Sequence, residues 1–409
     1  MIDIFKELQL VRSQEKIFQK NEGFITIRDL IKWGNRDIET YEKLGIEGYI
    51  LLAEKLSNKE DKDIVKKIIE SHLKGKINLS KDYINNYYEN YIKSKFFSEK
   101  KENDLKIKFT QSMNRIITLI DKAISNHEAV LLIGETGTGK TLSVEYLSQI
   151  YNRKLITINC HENMDTNDFL GSLRSNTNNT INNNDNSKDH NNNNNEHNLF
   201  EWIDGPITTS MKNGNFVLID EIDLVLDSVL ERMNSIFETD SVLVLSEKNI
   251  NDNVEIIKPH QNFAIISTIC PKGNEAKKEL SQALKSRFTE IYIEENSDDD
   301  IQKIIKFKFE KIKIMPDEYK EKFSNILFDI YKYYNAIEEI GKPMSFRDID
   351  LICEFIENQI NKMLNNKNTI NYDNLFSQSI QMTIIEGLYL NESLTPETLK
   401  KIKKTIIEK

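Results

Sequence analysis

Residues 134–141 read Gly134-Glu135-Thr136-Gly137-Thr138-Gly139-Lys140-Thr141, a complete phosphate loop of the form G-x-x-x-x-G-K-[ST]. Upstream, Ala129-Val130-Leu131-Leu132-Ile133 is a short apolar run of the kind that forms a buried parallel strand. Downstream, Leu142 to Ile150 carries apolar residues at helical spacing. Strand, glycine loop and helix together direct backbone N–H groups and a helix N-terminus at a triphosphate. Lys140 is expected to reach the β- and γ-phosphates of ATP, and the Thr141 hydroxyl to bind Mg²⁺. A Gly-rich turn without a ligand is the bland alternative.

About 80 residues further on, Phe216-Val217-Leu218-Ile219-Asp220-Glu221 is an apolar strand that ends in two acids. Adjacent carboxylates at the C-terminal end of a buried strand are costly unless a metal or ligand compensates them. That end is also where open α/β sheets bind ligands. Asp220 suits the Mg²⁺-coordinating carboxylate, and Glu221 the base that orients or deprotonates a water. An acidic helix cap is the alternative for both, because acids favour a first turn. Asp223 is left to that reading.

The composition bounds the rest. With 409 residues the chain is long enough for two or three domains. A hydrophobic content of 39% with 29% charged residues is of the soluble globular type. The net charge of −10 argues against a mainly electrostatic grip on nucleic acid, and no sequence-specific nucleic-acid binding is expected. Cys160, Cys270 and Cys353 lie far apart, which suits a reducing compartment and gives no zinc pattern. His161 and His260 show no ligand spacing. No apolar run approaches the ~18 residues of a membrane span, and the N-terminus is no signal peptide.

Along the chain, residues 1–95 read as helical. Thr26 is expected to cap a helix with apolar residues at 27, 30, 31 and 33. Tyr41 to Leu56, Asp63 to His72 and Ile107 to Asn126 are further expected helices, with a charged connector over 96–106. Strands are expected at 129–133, 155–159, 216–219, 262–268 and 289–293, alternating with helices, which implies a parallel sheet. Ser241 to Leu245 and Val254 to Ile257 flank a polar turn and read as a β-hairpin. After Asn296 the chain returns to helices. From Asn176 to Asn198 there are 13 Asn in 23 residues, a stretch too polar to fold and read as a disordered surface insert.

One internal echo stands out. Thr26-Ile27-Arg28-Asp29-Leu30 is similar to Ser345-Phe346-Arg347-Asp348-Ile349, 319 positions later. Both place an Arg early in an amphipathic helix behind a Ser or Thr cap. Repetition at this pitch suggests tandem modules.

Taken together, these parts resemble the AAA+ ATPases, and within them the midasin family. Beyond the P-loop, the resemblance rests on Phe200-Glu201-Trp202-Ile203-Asp204-Gly205-Pro206, on Asp220-Glu221-Ile222-Asp223-Leu224 with Leu230-Glu231-Arg232-Met233-Asn234-Ser235, and on Pro259-His260-Gln261-Asn262-Phe263. It rests also on Lys278-Glu279-Leu280 followed by Ala283-Leu284-Lys285-Ser286-Arg287-Phe288-Thr289-Glu290-Ile291-Tyr292. Ile25 to Asn35, with Gly48 to Glu54, is similar to the lid of a neighbouring module. The resemblance implies an α/β P-loop sheet sandwiched by helices, with helical lids at both ends. Residues 1–95 would be the lid of a preceding module, 96–127 a linker and leading helix, 128–295 the large α/β domain, and 296–409 the following lid. A chain that begins in one lid and stops after the next reads as a piece of a longer one.

The resemblance assigns roles to further residues. Arg287 matches the arginine finger, which acts in trans on the preceding module's nucleotide. Arg347 matches the sensor-2 arginine, contacting the γ-phosphate in cis, and Arg28 its counterpart in the preceding lid. The implied activity is ATP hydrolysis by a mechanochemical chaperone that remodels pre-60S ribosomal particles. The implied setting is the nucleus, including nucleolus and nucleoplasm, with neighbouring AAA+ modules and assembly factors as partners. One departure is expected to matter: the sensor-1 Asn of the family is Cys270 here. A thiol is a weak donor and cannot hold the lytic water as an amide can. Thr268 is the nearby residue available to substitute. A non-hydrolysing structural module, or a piece of another dynein- or MoxR-like protein, is the alternative.

Overall fold

The computed structural model describes residues 1–14, 25–73, 77–96, 107–175, 200–248, 254–271, 279–337, 344–365 and 371–385. The Asn-rich insert at 176–198, the connector over 97–106 and the last residues of the expected second lid lie outside the described residues. The chain divides into two compact units. The first comprises Met1–Phe96, Arg115–Glu135 and Lys140–Glu294; the second comprises Phe97–Asn114, Thr136–Gly139 and Glu295–Lys409.

Among the described residues, five helices open the chain: α1 (Ile2–Gln14), α2 (Ile27–Asn35), α3 (Tyr41–Leu52), α4 (Lys59–His72) and α5 (Lys81–Phe96). Then α6 (Gln111–Ser125) leads to β1 (Val130–Ile133), α7 (Lys140–Ile150), β2 (Leu155–Asn159), α8 (Thr166–Leu170), β3 (Gly171–Ser175) and β4 (Phe200–Asp204). Next come α9 (Pro206–Asn213), β5 (Phe216–Asp220), α10 (Asp227–Arg232), β6 (Leu243–Leu245), β7 (Glu255–Ile257), β8 (Ala264–Ile269), α11 (Gln282–Lys285) and β9 (Thr289–Tyr292). Helices α12 (Asp298–Glu310), α13 (Asp317–Asn335), α14 (Phe346–Asn365) and α15 (Tyr372–Ile380) follow.

The main sheet has the order β2-β5-β8-β1-β9, and every pairing in it is parallel. The central strands are near-continuous apolar runs, as a sheet covered on both faces requires. Val130, Leu131 and Leu132 of β1 and Phe216 to Ile219 of β5 are all buried. Phe169, Phe237, Leu243 and Phe288 fill the core beside them. The expected hairpin is present: β6 and β7 pair antiparallel, Leu243 opposite Ile257. A second hairpin was not legible in the sequence. Strands β3 and β4 pair antiparallel, Gly171 opposite Asp204 and Ser175 opposite Phe200. β3 holds only one large apolar residue, Leu173, so no alternation announces it.

Helix α2 corrects an expectation. Its cap is as read: the Thr26 side chain accepts from the Asp29 N–H, and the Asp29 side chain accepts from the Thr26 N–H at 2.7 Å. Its buried face is mixed, charged as well as apolar. Asp29, Lys32 and Trp33 are buried, whereas Ile27 and Ile31 are exposed at 67% and 56%. The reason is ionic. Lys55 Nζ donates to Asp29 at 2.9 Å, and Lys32 Nζ donates to the Arg287 carbonyl at 2.9 Å. Arg36, 3% exposed, donates to Glu128 through Nε at 3.2 Å and Nη2 at 2.8 Å, and to Glu47 through Nη1 at 2.7 Å. Thr289 adds its hydroxyl to Glu128 at 2.6 Å, and Lys122 pairs with Glu47. Asp29, Arg36, Glu47 and Glu128 thus each meet an opposite charge, the condition under which burial is tolerable, while Lys32 is held by a carbonyl.

A second buried cluster lies where α3 ends. The helix stops at Leu52 rather than running to Leu56, and Glu54 turns inward. Tyr88 donates to Glu54 at 2.9 Å, Arg115 Nε donates at 3.0 Å, and Lys62 lies 3.6 Å away. Helix α4 starts four residues before its expected position, at Lys59, where Asn58 accepts from the Glu60 N–H at 3.0 Å.

The second unit is helical around its own core. Ser297 caps α12, and Phe309, Phe323, Leu327, Ile330, Ile349 and Ile356 are buried. The Phe323 and Phe376 rings stack with centroids 4.3 Å apart. Among the described residues, no helix is long and apolar enough to cross a membrane.

Candidate functional site

Strand β8 organises the candidate site, because it lies between β5, which ends in the paired acids, and β1, which runs into the phosphate loop. Two consecutive residues of β8 serve the two sides. Thr268 Oγ1 donates to Asp220 Oδ1 and accepts from the Glu221 N–H at 3.0 Å. The next carbonyl, that of Ile269, accepts from the Gly134 N–H at 3.1 Å. With neighbouring strands ~4.8 Å apart, the loop and the acids are separated by about two strand spacings. Both stand at the C-terminal edge of the parallel sheet, where such folds take ligands.

The loop backbone has the form its glycines allow. Gly137 and Gly139 take φ of 82° and 90°, which side chains with a Cβ rarely adopt. Lys140 opens α7, and its Nζ donates to the carbonyls of Gly134 at 2.5 Å and Glu135 at 2.8 Å. The ammonium is therefore held over its own loop. Thr136 and Gly137 are exposed, Thr138 is buried, and Gly139 and Thr141 are intermediate.

Glu221 has φ 56° and ψ 52°, a left-handed conformation that residues other than glycine rarely adopt. Such a residue costs about 1–3 kcal/mol, which the surrounding structure must supply. It precedes a single 3₁₀ turn, Ile222–Leu224, yet its side chain makes no capping hydrogen bond. Glu221 thus stands at the start of that turn without a side-chain cap. The negative field of this corner reaches Cys160, whose backbone N–H donates to the Asp220 carbonyl at 3.0 Å. Burial, with Asp220, Asp223 and Glu221 nearby, pushes its thiol up to about 12.

Among the described residues, no group of three or more His, Cys, Asp and Glu side chains could hold a metal by itself. That fits Mg²⁺, which is commonly held by one or two carboxylates plus phosphates and water. The acids at the end of β5 supply the oxygen donors such a cation requires.

Cys270, at the expected sensor-1 position, is 4% exposed, and its Sγ lies 3.9 Å from Glu135 Oε2. Thr268, named in the sequence only as a substitute, is the side chain that meets both acids.

The structure does not bring Arg287 to this loop. Thr289 pairs with Val130 and Tyr292 with Ile133, so Arg287 precedes the entry end of β9 while the loop leaves β1 at the far end. At ~3.3 Å per residue the two are separated by at least about 10 Å along the strands. Arg287 Nε instead lies 3.1 Å from Glu238, and Arg28 Nη2 is 3.5 Å from the same carboxylate oxygen. Glu238 and Lys32 were not foreseen; nothing in their local sequence separates them from ordinary surface charges.

Within the second unit, Gly137 lies against α14: a Cβ placed there would be 3.7 Å from the Phe346 ring. Arg347 follows Phe346, is exposed, and makes no hydrogen bond or ion pair among the described residues. The internal echo extends to atomic detail. Ser345 donates N–H and O–H to Asp348 Oδ2 at 2.8 and 2.9 Å, as Thr26 does to Asp29 Oδ2 at 2.7 and 3.0 Å.

A parallel sheet in this order, with a phosphate loop after β1 and paired acids after β5, defines a P-loop AAA domain with a helical lid. Comparison with known proteins agrees. Residues 129–288 match the AAA domain of the dynein-related subfamily, and residues 1–76 match the midasin AAA lid domain. The chain belongs to the midasin branch of the dynein-related AAA family. It is 32% identical to midasin of Dictyostelium discoideum over 433 aligned positions, covering 89% of this chain, and 30% identical to midasin of Giardia intestinalis, covering 91%. It spans only 7% and 8% of the length of those two relatives. An uncharacterized protein of Staphylococcus epidermidis is 26% identical over 64% of this chain and 90% of its own length.

Proposed function

We propose that this chain is an ATP-binding and ATP-hydrolysing AAA+ module of a midasin-like mechanochemical ATPase. The observation that carries the reading is that β8 alone lies between the strand ending in Asp220 and Glu221 and the strand entering the phosphate loop, with Thr268 of β8 bonded to both acids. Residues 134–141 would surround the phosphates with backbone N–H groups, and Lys140 would exchange its loop carbonyls for phosphate oxygens. Thr141 and Asp220 would hold Mg²⁺, which when bound offsets charge on the β- and γ-oxygens. Glu221 would orient the attacking water and take its proton. Its left-handed backbone, fixed by the Thr268 hydroxyl, sets where that carboxylate stands.

Arg347 would contact the γ-phosphate in cis, supported by Phe346 beside Gly137. Arg287 would act in trans on the preceding module's nucleotide, supported by its position at the opposite end of the sheet. Residues 1–95 would then be the preceding module's lid, 128–295 the large domain and 296–409 the following lid. By family, the work done is remodelling of pre-60S ribosomal particles in the nucleus. The partners would be neighbouring AAA+ modules and assembly factors.

Cys270 favours a second reading, in which the module binds nucleotide and does not turn it over. Single-turnover hydrolysis, with a neighbouring module supplying its arginine, separates the two. A rate above that of Glu221→Gln supports the first reading; a rate equal to it supports the second.

A further inference from the structure

Two arginines and one glutamate meet at a place the phosphate loop does not use. Arg28 comes from the first turn of α2 and Arg287 from the short link between α11 and β9, yet both reach the single oxygen Glu238 Oε1. Each guanidinium is anchored by a further bond. Arg28 Nη1 donates to Ser286 Oγ at 2.9 Å, and Arg287 Nη1 donates to the Ala283 carbonyl at 2.6 Å. Lys32 Nζ, donating to the Arg287 carbonyl, fixes the backbone beneath.

The carboxylate, by contrast, is held loosely. Arg287 Nε is buried and within ion-pair distance of Glu238, but the contact lacks hydrogen-bond alignment. The Glu238 and Arg28 side chains are 46% and 47% exposed, so water and salt screen the pairing. Without Glu238, two neighbouring guanidiniums would repel each other and attract any anion. A polyphosphate carries more charge than a carboxylate and offers oxygens that match guanidinium forks bidentately. A displaced, half-exposed carboxylate rehydrates at little cost.

We propose that Glu238 is a resident competitor for phosphate at a two-arginine subsite. Its carboxylate holds Arg28 and Arg287 together and yields them to the terminal phosphates of a nucleoside triphosphate carried by an adjoining AAA module. The identity of that ligand rests on the reading of the chain as one module among several. Glu238 is a positioning residue: it keeps the arginines paired when no phosphate is present and sets how much phosphate charge is needed to claim them.

The test uses the full chain with Lys140→Ala, which silences its own phosphate loop, and inorganic tripolyphosphate as the probe in a calorimetric titration at low salt. Glu238→Gln, which keeps the shape and removes the charge, is expected to tighten binding by about fivefold or more. Adding Arg28→Ala or Arg287→Ala is expected to abolish that gain. If circular dichroism shows that the Gln variant has lost its fold, Glu238→Ala is read in the same way. Unchanged or weaker binding in the folded variant overturns the proposal, as does a gain that survives loss of both arginines. Titration of ATP into the unmodified chain reports separately on the phosphate loop, so failure of one reading is distinguishable from failure of the other.

Discussion

Thr268 and Asp220 share a hydrogen bond across neighbouring strands, the threonine hydroxyl donating to Oδ1 while it accepts the Glu221 N–H. One hydroxyl therefore fixes the direction of one acid and the backbone of the other. Thr268→Val keeps the volume and leaves both partners without that bond. It is expected to lower single-turnover hydrolysis by about a hundredfold, the scale of a lost preorganised donor. Thr268→Ser is expected to retain most of the rate. Equal rates for the Val and Ser variants would deny the hydroxyl a role.

Lys140 presents its ammonium to two loop carbonyls, and a phosphate offers it a stronger, charged partner. Lys140→Ala is expected to abolish ATP binding in a calorimetric titration. Far-ultraviolet circular dichroism is expected to match the unmodified protein. Retained affinity would show that the loop is not the nucleotide site.

Cys270 packs against Glu135, at the position where the resemblance implies an amide. Cys270→Asn is expected to raise turnover about tenfold, because an amide can donate to the γ-phosphate or the lytic water and a thiol does so weakly. Affinity for ATP is expected to stay the same. A rate no higher than that of the unmodified chain would mean that Thr268 and Glu221 already suffice.

Arg36 lies buried between Glu128 and Glu47. Removing it strands Glu128 in the interior and leaves Glu47 to Lys122 alone, so Arg36→Met is expected to cost about 3–5 kcal/mol in urea unfolding. Lysine cannot reproduce the two-pronged contact with Glu128, and Arg36→Lys is expected to recover only part of the loss. A change below about 1 kcal/mol would show that the network is energetically idle.

Two buried groups predict how stability varies with pH. Burial alone would raise the Glu54 carboxyl, but Arg115 and Lys62, with hydrogen bonds from Arg115 and Tyr88, hold it at about 2. Its stabilisation is complete above the unfolded value of 4.5 and is lost as pH falls towards 2, on the order of 3 kcal/mol. Lys32 is lowered to about 8, mainly by burial. Between about 8 and its ordinary 10.5 the unfolded chain binds the extra proton, so stability rises with pH across that window. Urea midpoints measured against pH should lose the acid limb in Glu54→Gln and the alkaline limb in Lys32→Met. Unchanged limbs would reject these assignments.

Local sequence was enough to locate the candidate site of this protein. The residues at 134–141, the acids at 220 and 221 and the apolar strands before them are contiguous, and local pattern dictates both their backbone and their edge of the sheet. The capped helices at Thr26 and Ser345 were equally legible, because a cap is made within four residues. Tertiary structure alone decided three other matters. It buried charged residues of α2 and left Ile27 and Ile31 exposed, because Asp29, Lys32 and Arg36 find partners up to 255 positions away. It gave Thr268 to both acids, and it joined Arg28 to Arg287 through Glu238. Charge pairing between distant segments has no sequence period, so periodicity cannot announce it; only the folded chain shows which opposite charges meet.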